Sequence, residues 1–191
     1  MSLIDISIYE RFQKLRSELK EYFKEREEVV DGALTALLSR HHILLIGPPG
    51  TAKTNLAETL CKSIAGIKYF FHLLTKFTTD KDLLVSEVMV EEEMQQQGKL
   101  IKFINRSEKK LPQSHIAFLD EIFKCSAVTL NALLRLINER KCTINPGEEL
   151  DSPLITMIGA SNELPGKEQE ELMALNDRFL LRYIIDYLKL L

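Results

Sequence analysis

Ile43-Leu44-Leu45-Ile46-Gly47-Pro48-Pro49-Gly50-Thr51-Ala52-Lys53-Thr54 is the stretch that decides how this chain folds. Four consecutive apolar residues are too short a run for a helix and read as a strand buried on both faces. Gly47-Pro48-Pro49-Gly50 stops that strand, and Thr54 to Ile64 returns to helical spacing. A loop so placed can turn its amides, together with the helix N-terminus, toward a polyphosphate. Lys53 can then reach the β and γ oxygens, and the Thr54 hydroxyl can hold Mg²⁺. The general phosphate-loop pattern has Gly where this chain has Ala52, so the motif carries one departure.

Working outward, Ile8 to Leu38 reads as helix, with Phe12, Leu15, Leu19, Tyr22 and Phe23 spaced to share a face and Gly32 inside or between two helical segments. Short apolar runs like the first recur at Lys68 to Leu74, His115 to Leu119, Leu154 to Ala160 and Phe179 to Ile185, with helical stretches such as Ser126 to Asn138 between them. Strands alternating with helices predict an α/β fold: a parallel five-stranded sheet between helices. Two polar segments interrupt the alternation as turns or hairpins, Glu91 to Leu111 and Lys141 to Pro153. Glu91-Glu92-Glu93 reads as a solvated helix end, and Lys99 to Lys110, with its five basic residues and Phe103, as an exposed hairpin or, less simply, a client contact.

Three further groups carry chemistry. His115-Ile116-Ala117-Phe118-Leu119-Asp120-Glu121 is an apolar strand tipped by two carboxylates, at the end where open α/β sheets keep their sites. Asp120 can hold Mg²⁺ through water and Glu121 can take a proton from an attacking water, although alone the pair is an ordinary helix cap. Asn162 ends the strand Met157 to Ser161; it can orient that water, or serve as a turn former in Asn-Glu-Leu-Pro. Arg178, in Asn176-Asp177-Arg178-Phe179, is either a surface ion-pair partner or a finger reaching a neighbour's phosphate. Arg182 is the second finger candidate, with pairing to Asp186 on an edge strand as its plainer reading. His41 and His42 have no partners at metal-ligand spacing.

Gly-Pro-Pro-Gly-Thr-Ala-Lys-Thr, Phe-Leu-Asp-Glu-Ile, Leu-Asn-Ala-Leu-Leu-Arg-Leu-Ile-Asn-Glu-Arg, Ala-Ser-Asn-Glu-Leu-Pro and Asn-Asp-Arg-Phe, in this order, resemble the MoxR family of AAA+ ATPases, most of all its RavA branch. Ala at position 52 is what that family shows. The resemblance implies a P-loop NTPase core that hydrolyses ATP with Mg²⁺. It implies that Gly47, Pro48, Pro49, Gly50, Thr51, Ala52, Lys53 and Thr54 form the nucleotide loop, and that Thr54 and Asp120 hold the metal. Lys53, Glu121 and Asn162 act in catalysis on this reading, with Arg178 acting in trans. Tyr22 to Arg26 matches a stretch bordering adenine, with Lys24 touching it through backbone, while Asn55 and Leu56 lie against the α-phosphate and ribose. A ring, in the family a hexamer, and a partner with a von Willebrand factor A domain are implied as well, with remodelling or maturation of a protein client as the outcome. The expected layout is an α/β subdomain over 1–191, with N-terminal helices to residue 40 and the P-loop core from 41. The family's helical lid, with its sensor 2 arginine, lies outside this chain, whether through a cut at the boundary or an incomplete gene product. A chain without it is expected to be a weak ATPase and mostly monomeric.

The 191 residues carry 25 Lys+Arg against 28 Asp+Glu, a formal charge of -3, which gives no basic excess for coating nucleic acid. Cys61, Cys125 and Cys142 are odd in number and form no CxxC pair, which suits neither a disulfide framework nor a zinc ribbon. No apolar run approaches the ~18 residues of a membrane span, so the expectation is a cytoplasmic protein with no membrane partner. Two rival functions remain at this level: a nucleotide-binding scaffold without turnover, and a DNA-acting AAA+ subunit.

Overall fold

The computed structural model describes residues 3–94, 98–145, 147–166 and 169–188. Two helices open the chain, α1 (Leu3–Tyr22) and α2 (Glu27–Ser39), with Gly32 inside the second. Leu15 and Phe12 pack partly and Leu19 and Phe23 fully against the core. Tyr22 departs from the expected face and is 66% exposed. Neighbouring residues on a helix point ~100° apart, and Phe23 takes the inward direction.

β1 (Ile43–Ile46) and α3 (Lys53–Lys62) flank the loop as the sequence predicts. The remaining core strands are β2 (Tyr69–Leu73), β5 (Ile116–Asp120), β8 (Thr156–Ser161) and β9 (Leu181–Ile184). All pair in parallel, in the order β2-β5-β8-β1-β9. Period-two alternation sends the two faces of β1 to different cores. Ile43 and Leu45 pack toward α1, α2 and α3, whereas Leu44 packs with Leu133, Leu136 and Phe179 on the other side. On that second side lie α5 (Ala127–Glu139), capped by Ser126, and α6 (Glu170–Asn176). The short α4 (Asp80–Leu84) carries a Thr79/Asp82 capping box.

Both interruptions are antiparallel hairpins: β3 (Ser86–Met94) with β4 (Gly98–Arg106), and β6 (Lys141–Asn145) with β7 (Glu148–Asp151). The first begins five residues earlier than expected, and Glu91-Glu92-Glu93 lies in strand β3, not at a helix end. Pairing with β4 overrides the weak strand preference of glutamate. Gln95, Gln96 and Gln97 of the expected turn, and Pro146 of the second, lie outside the described residues. Among the described residues no helix is long and apolar enough to cross a membrane.

Candidate functional site

Strands β5, β8 and β1 are neighbours, and each ends in a residue the sequence singled out. The chain leaves β1 for the far edge at β2, steps back through β5 and β8, and then passes to β9 on the other side of β1. That reversal places a crevice at the carboxyl ends of these strands. Gly47 is its root: its amide donates to Ser161 O at 3.0 Å, joining the tips of β1 and β8. A Cβ built on Gly47 would lie 1.9 Å from the Ile185 carbonyl oxygen, so the position accepts no side chain without backbone movement. Gly50 is required for its backbone, with φ at 83°.

Ala52 adopts φ 66°, ψ 21°, the left-handed conformation that L-residues avoid, immediately before Lys53 starts α3. No side chain caps this helix and no acid lies in its first turn. Its leading amides are therefore free for an anionic ligand, and the helix dipole favours one. Thr51, buried, fastens the loop by donating to Pro48 O at 2.9 Å.

Lys53 is buried, and its ammonium donates to Gly47 O, to Pro48 O at 2.9 Å and to Asn162 Oδ1 at 3.3 Å. Burial pulls its pKa below the usual lysine value, while Asp120 and Glu121 oppose that pull. Asn162 uses its other end as well, donating through Nδ2 to Glu121 Oε1 at 2.5 Å. Glu121 Oε2 lies 3.3 Å from Lys124 Nζ. Glu121 has φ 53°, ψ 44°, so the backbone at the carboxylate is strained in the way functional sites often are. Asp120 accepts the Glu121 amide at 2.9 Å through Oδ1 and the Thr54 hydroxyl at 3.4 Å through Oδ2. An adjacent hydroxyl and carboxylate form a hard-oxygen set of the kind Mg²⁺ takes with waters and phosphate.

A cavity of about 420 Å³ opens beside the loop, walled by Gly50, Thr51, Ala52 and Asn55 on one side. Tyr22, Phe23, Lys24 and Arg26, from the end of α1 and the α1–α2 turn, with Tyr187 and Leu188 beyond β9, complete it. Lys24 and Asn55 are therefore at the cavity, whereas the Leu56 side chain is buried in the core beneath α3. Tyr187, Leu188 and Lys124 went unrecognised in the sequence. The first two follow the last strand and carry no local signal. Lys124 was legible as a cation three residues after Glu121 in a tight turn.

Arg178 lies elsewhere. Leu181 pairs with Ile43, so Arg178 precedes the amino end of β9, while the loop follows the carboxyl end of β1. Four strand residues at ~3.3 Å each separate the two levels by ~13 Å. Among the described residues the exposed Arg178 side chain has no hydrogen-bond or ion-pair partner. Arg182 is occupied: it donates to Phe179 O at 2.9 Å and pairs at 3.4 Å with Asp177, not with Asp186 as the sequence suggested. Asp177, the residue that follows α6, comes within ion-pair reach of Arg182. His42 is a buried structural residue whose Nδ1 accepts the Met157 amide at 3.0 Å.

Residues 10–190 match the family described as the MoxR domain in the MoxR-vWA-beta-propeller ternary systems. Two uncharacterized proteins of Methanocaldococcus jannaschii are each 41% identical to this chain, over 179 and 174 residues. Those alignments take in 93% and 91% of the chain and 44% of each relative, so the chain spans under half the length of these curated relatives. A structural protein of Acidianus two-tailed virus is 32% identical over 94% of the chain and 30% of its own length. The solved structure of a candidate ATPase from Cytophaga hutchinsonii superposes with a TM-score of 0.64 at 20% identity, over 98% of this chain and 56% of that one.

Proposed function

The chain belongs to the MoxR family of AAA+ ATPases, and on that footing we propose that it binds ATP and ADP at the β1–α3 loop and hydrolyses ATP with Mg²⁺. The observation that carries this reading is the convergence of Lys53, Glu121 and Asn162 around the uncapped start of α3. The loop amides and α3 bind the phosphates, and Lys53 exchanges its carbonyl partners for β and γ oxygens. Thr54 and Asp120 would hold Mg²⁺, which neutralises charge on the β- and γ-phosphates. Glu121 accepts the proton of the attacking water, and Asn162, turning from Glu121, orients that water or the γ-phosphate.

Arg178 serves a neighbouring copy in a ring, as the separation from its own loop supports. The family description supports a partner with a von Willebrand factor A domain, and remodelling of a protein client is the work such a ring would do. The motifs that resemble RavA support assignment to that branch, and the acidic charge balance favours a protein client over DNA.

The test is a pair of variants measured by calorimetry and phosphate release. Lys53→Ala loses Mg-ATP binding, whereas Glu121→Gln binds normally and loses turnover. Parent-rate hydrolysis by Glu121→Gln overturns the base assignment. A salt titration against DNA checks the client class: a steep fall in affinity with salt would indicate phosphate contacts and favour the DNA-acting reading.

A further inference from the structure

Two stretches remote in sequence wall the cavity together with the β1–α3 loop. They are the α1–α2 turn, with Lys24 and Arg26, and the chain beyond β9, with Tyr187 and Leu188. If the loop takes the phosphates, as proposed above, the rest of this cavity is the space left for the base. The chain beyond β9 is pinned first at Ile185, whose amide donates to Ile46 O at 2.7 Å. One residue later the Asp186 carbonyl accepts a hydrogen bond from Arg26 Nη2. Nη1 of the same guanidinium donates to Glu25 O at 2.9 Å.

Arg26 is itself fixed by its backbone. Its amide donates to Phe23 O at 3.1 Å, and its carbonyl accepts the Val30 amide at 2.9 Å. Arg26 also borders a second cavity of about 250 Å³, lined by Glu27 and Glu28 and by Tyr183, Ile184 and Ile185. The guanidinium thus stands between two cavities and bridges the carbonyl of its neighbour Glu25 to that of Asp186, 160 residues further along the chain from Arg26. A planar fork that stays charged suits that bridge better than a flexible ammonium would.

We propose that Arg26 is a positioning residue for the base end of the nucleotide: by tying the α1–α2 turn to Asp186 it sets the gap that receives the base, while leaving the grip on phosphate to the loop. The proposal rests on the nucleotide-binding reading above. It assigns Arg26 no contact with the reacting atoms.

The experiment measures dissociation constants of Mg-ATP and Mg-ADP for the parent chain, Arg26→Gln, Arg26→Lys and Lys53→Ala. A hydrogen bond to a charged donor is commonly worth about tenfold in an equilibrium. Arg26→Gln is expected to weaken ATP and ADP by the same factor of about ten, since the affected end is the one they share. Arg26→Lys, which keeps the charge and one reach to Asp186 O but loses the fork, recovers only part of the loss. Lys53→Ala costs ATP more than ADP. An Arg26→Gln loss greater for ATP than for ADP would place the effect at the phosphates and overturn the assignment, as would unchanged affinities. If the parent chain binds neither nucleotide, the proposed function itself fails and takes this inference with it.

Discussion

Acidification should weaken this fold through buried histidine, chiefly His42, before the carboxylates matter. His42 ends the α2–β1 connection, where Nδ1 accepts the Met157 amide at 3.0 Å and the ring packs edge-on to Phe179. Burial, with smaller pushes from Arg140 and His41, lowers its pKa from 6.5 to about 4. The charged form is thus disfavoured in the folded state. Above pH 6.5 both states are neutral and the full stability is present. Between 6.5 and about 4 the unfolded chain takes up a proton that the folded chain refuses, so stability falls with pH across that window. At ~1.4 kcal/mol per pH unit the gap comes to about 3 kcal/mol by pH 4. His72, also lowered by burial, adds in the same direction, so a difference measurement is needed. Asp31, held at about 2 chiefly by Arg16, contributes stability that is lost only as pH falls below 3.8, outside this window. The assay is urea unfolding at pH 7, 6, 5 and 4 for the parent and for His42→Asn, whose carbonyl can still accept the Met157 amide. The variant starts less stable but declines less steeply. Parallel declines between pH 6.5 and 4 would refute the linkage to His42.

The other predictions concern the loop and the finger. Gly47→Ala forces a Cβ against the Ile185 carbonyl and should cost at least about 2 kcal/mol, read from the urea midpoint. Ala52→Gly relieves ~1–2 kcal/mol of left-handed strain against ~0.5–1 kcal/mol of added chain entropy. It should therefore leave the midpoint unchanged or slightly raised, with nucleotide affinity preserved; a clear loss of stability would contradict the backbone assignment. Arg178→Ala in a lid-containing protein should bind ATP nearly normally and lose ~10³-fold or more in turnover. Activity should partly return on mixing it with Lys53→Ala, and mixed rings as inactive as either parent would remove the trans role.

Much of the fold was legible because local signals and tertiary structure agree. Ile43–Ile46, the Gly-Pro-Pro-Gly stop and the helix from Lys53 need no long-range information, and Asp120, Glu121 and Asn162 announce themselves as polar tips on apolar strands. The losses came where a partner decides. Glu91 to Glu93 form strand only because β4 lies beside them, and Arg182 pairs with Asp177 because the turn between α6 and β9 brings that carboxylate within reach. Tyr187 and Leu188 reach the cavity through a path that depends on the whole sheet order. Tyr22 and Phe23 point ~100° apart, and periodicity alone does not say which of the two turns inward.

The direction of the strands carries the deepest consequence for assembly. All five core strands run parallel, so the sheet has one end that collects loop residues and an opposite end that collects strand starts. Gly47, Glu121 and Asn162 belong to the first end. Arg178 belongs to the second, together with Arg40, His41 and Arg140, whose Nη2 donates to Arg40 O at 3.2 Å. The guanidinium and the loop are attached to opposite ends of strands packed side by side, so flexing a side chain cannot close the ~13 Å between those levels. On the proposed reading of Arg178 as a finger, its target would lie on another molecule. An interface joining the amino end of one sheet to the carboxyl end of the next uses two different surfaces on each copy, and such head-to-tail contacts close into rings when the rotation allows. A closed ring would be the assembly in which every loop meets the proposed finger and none is left over.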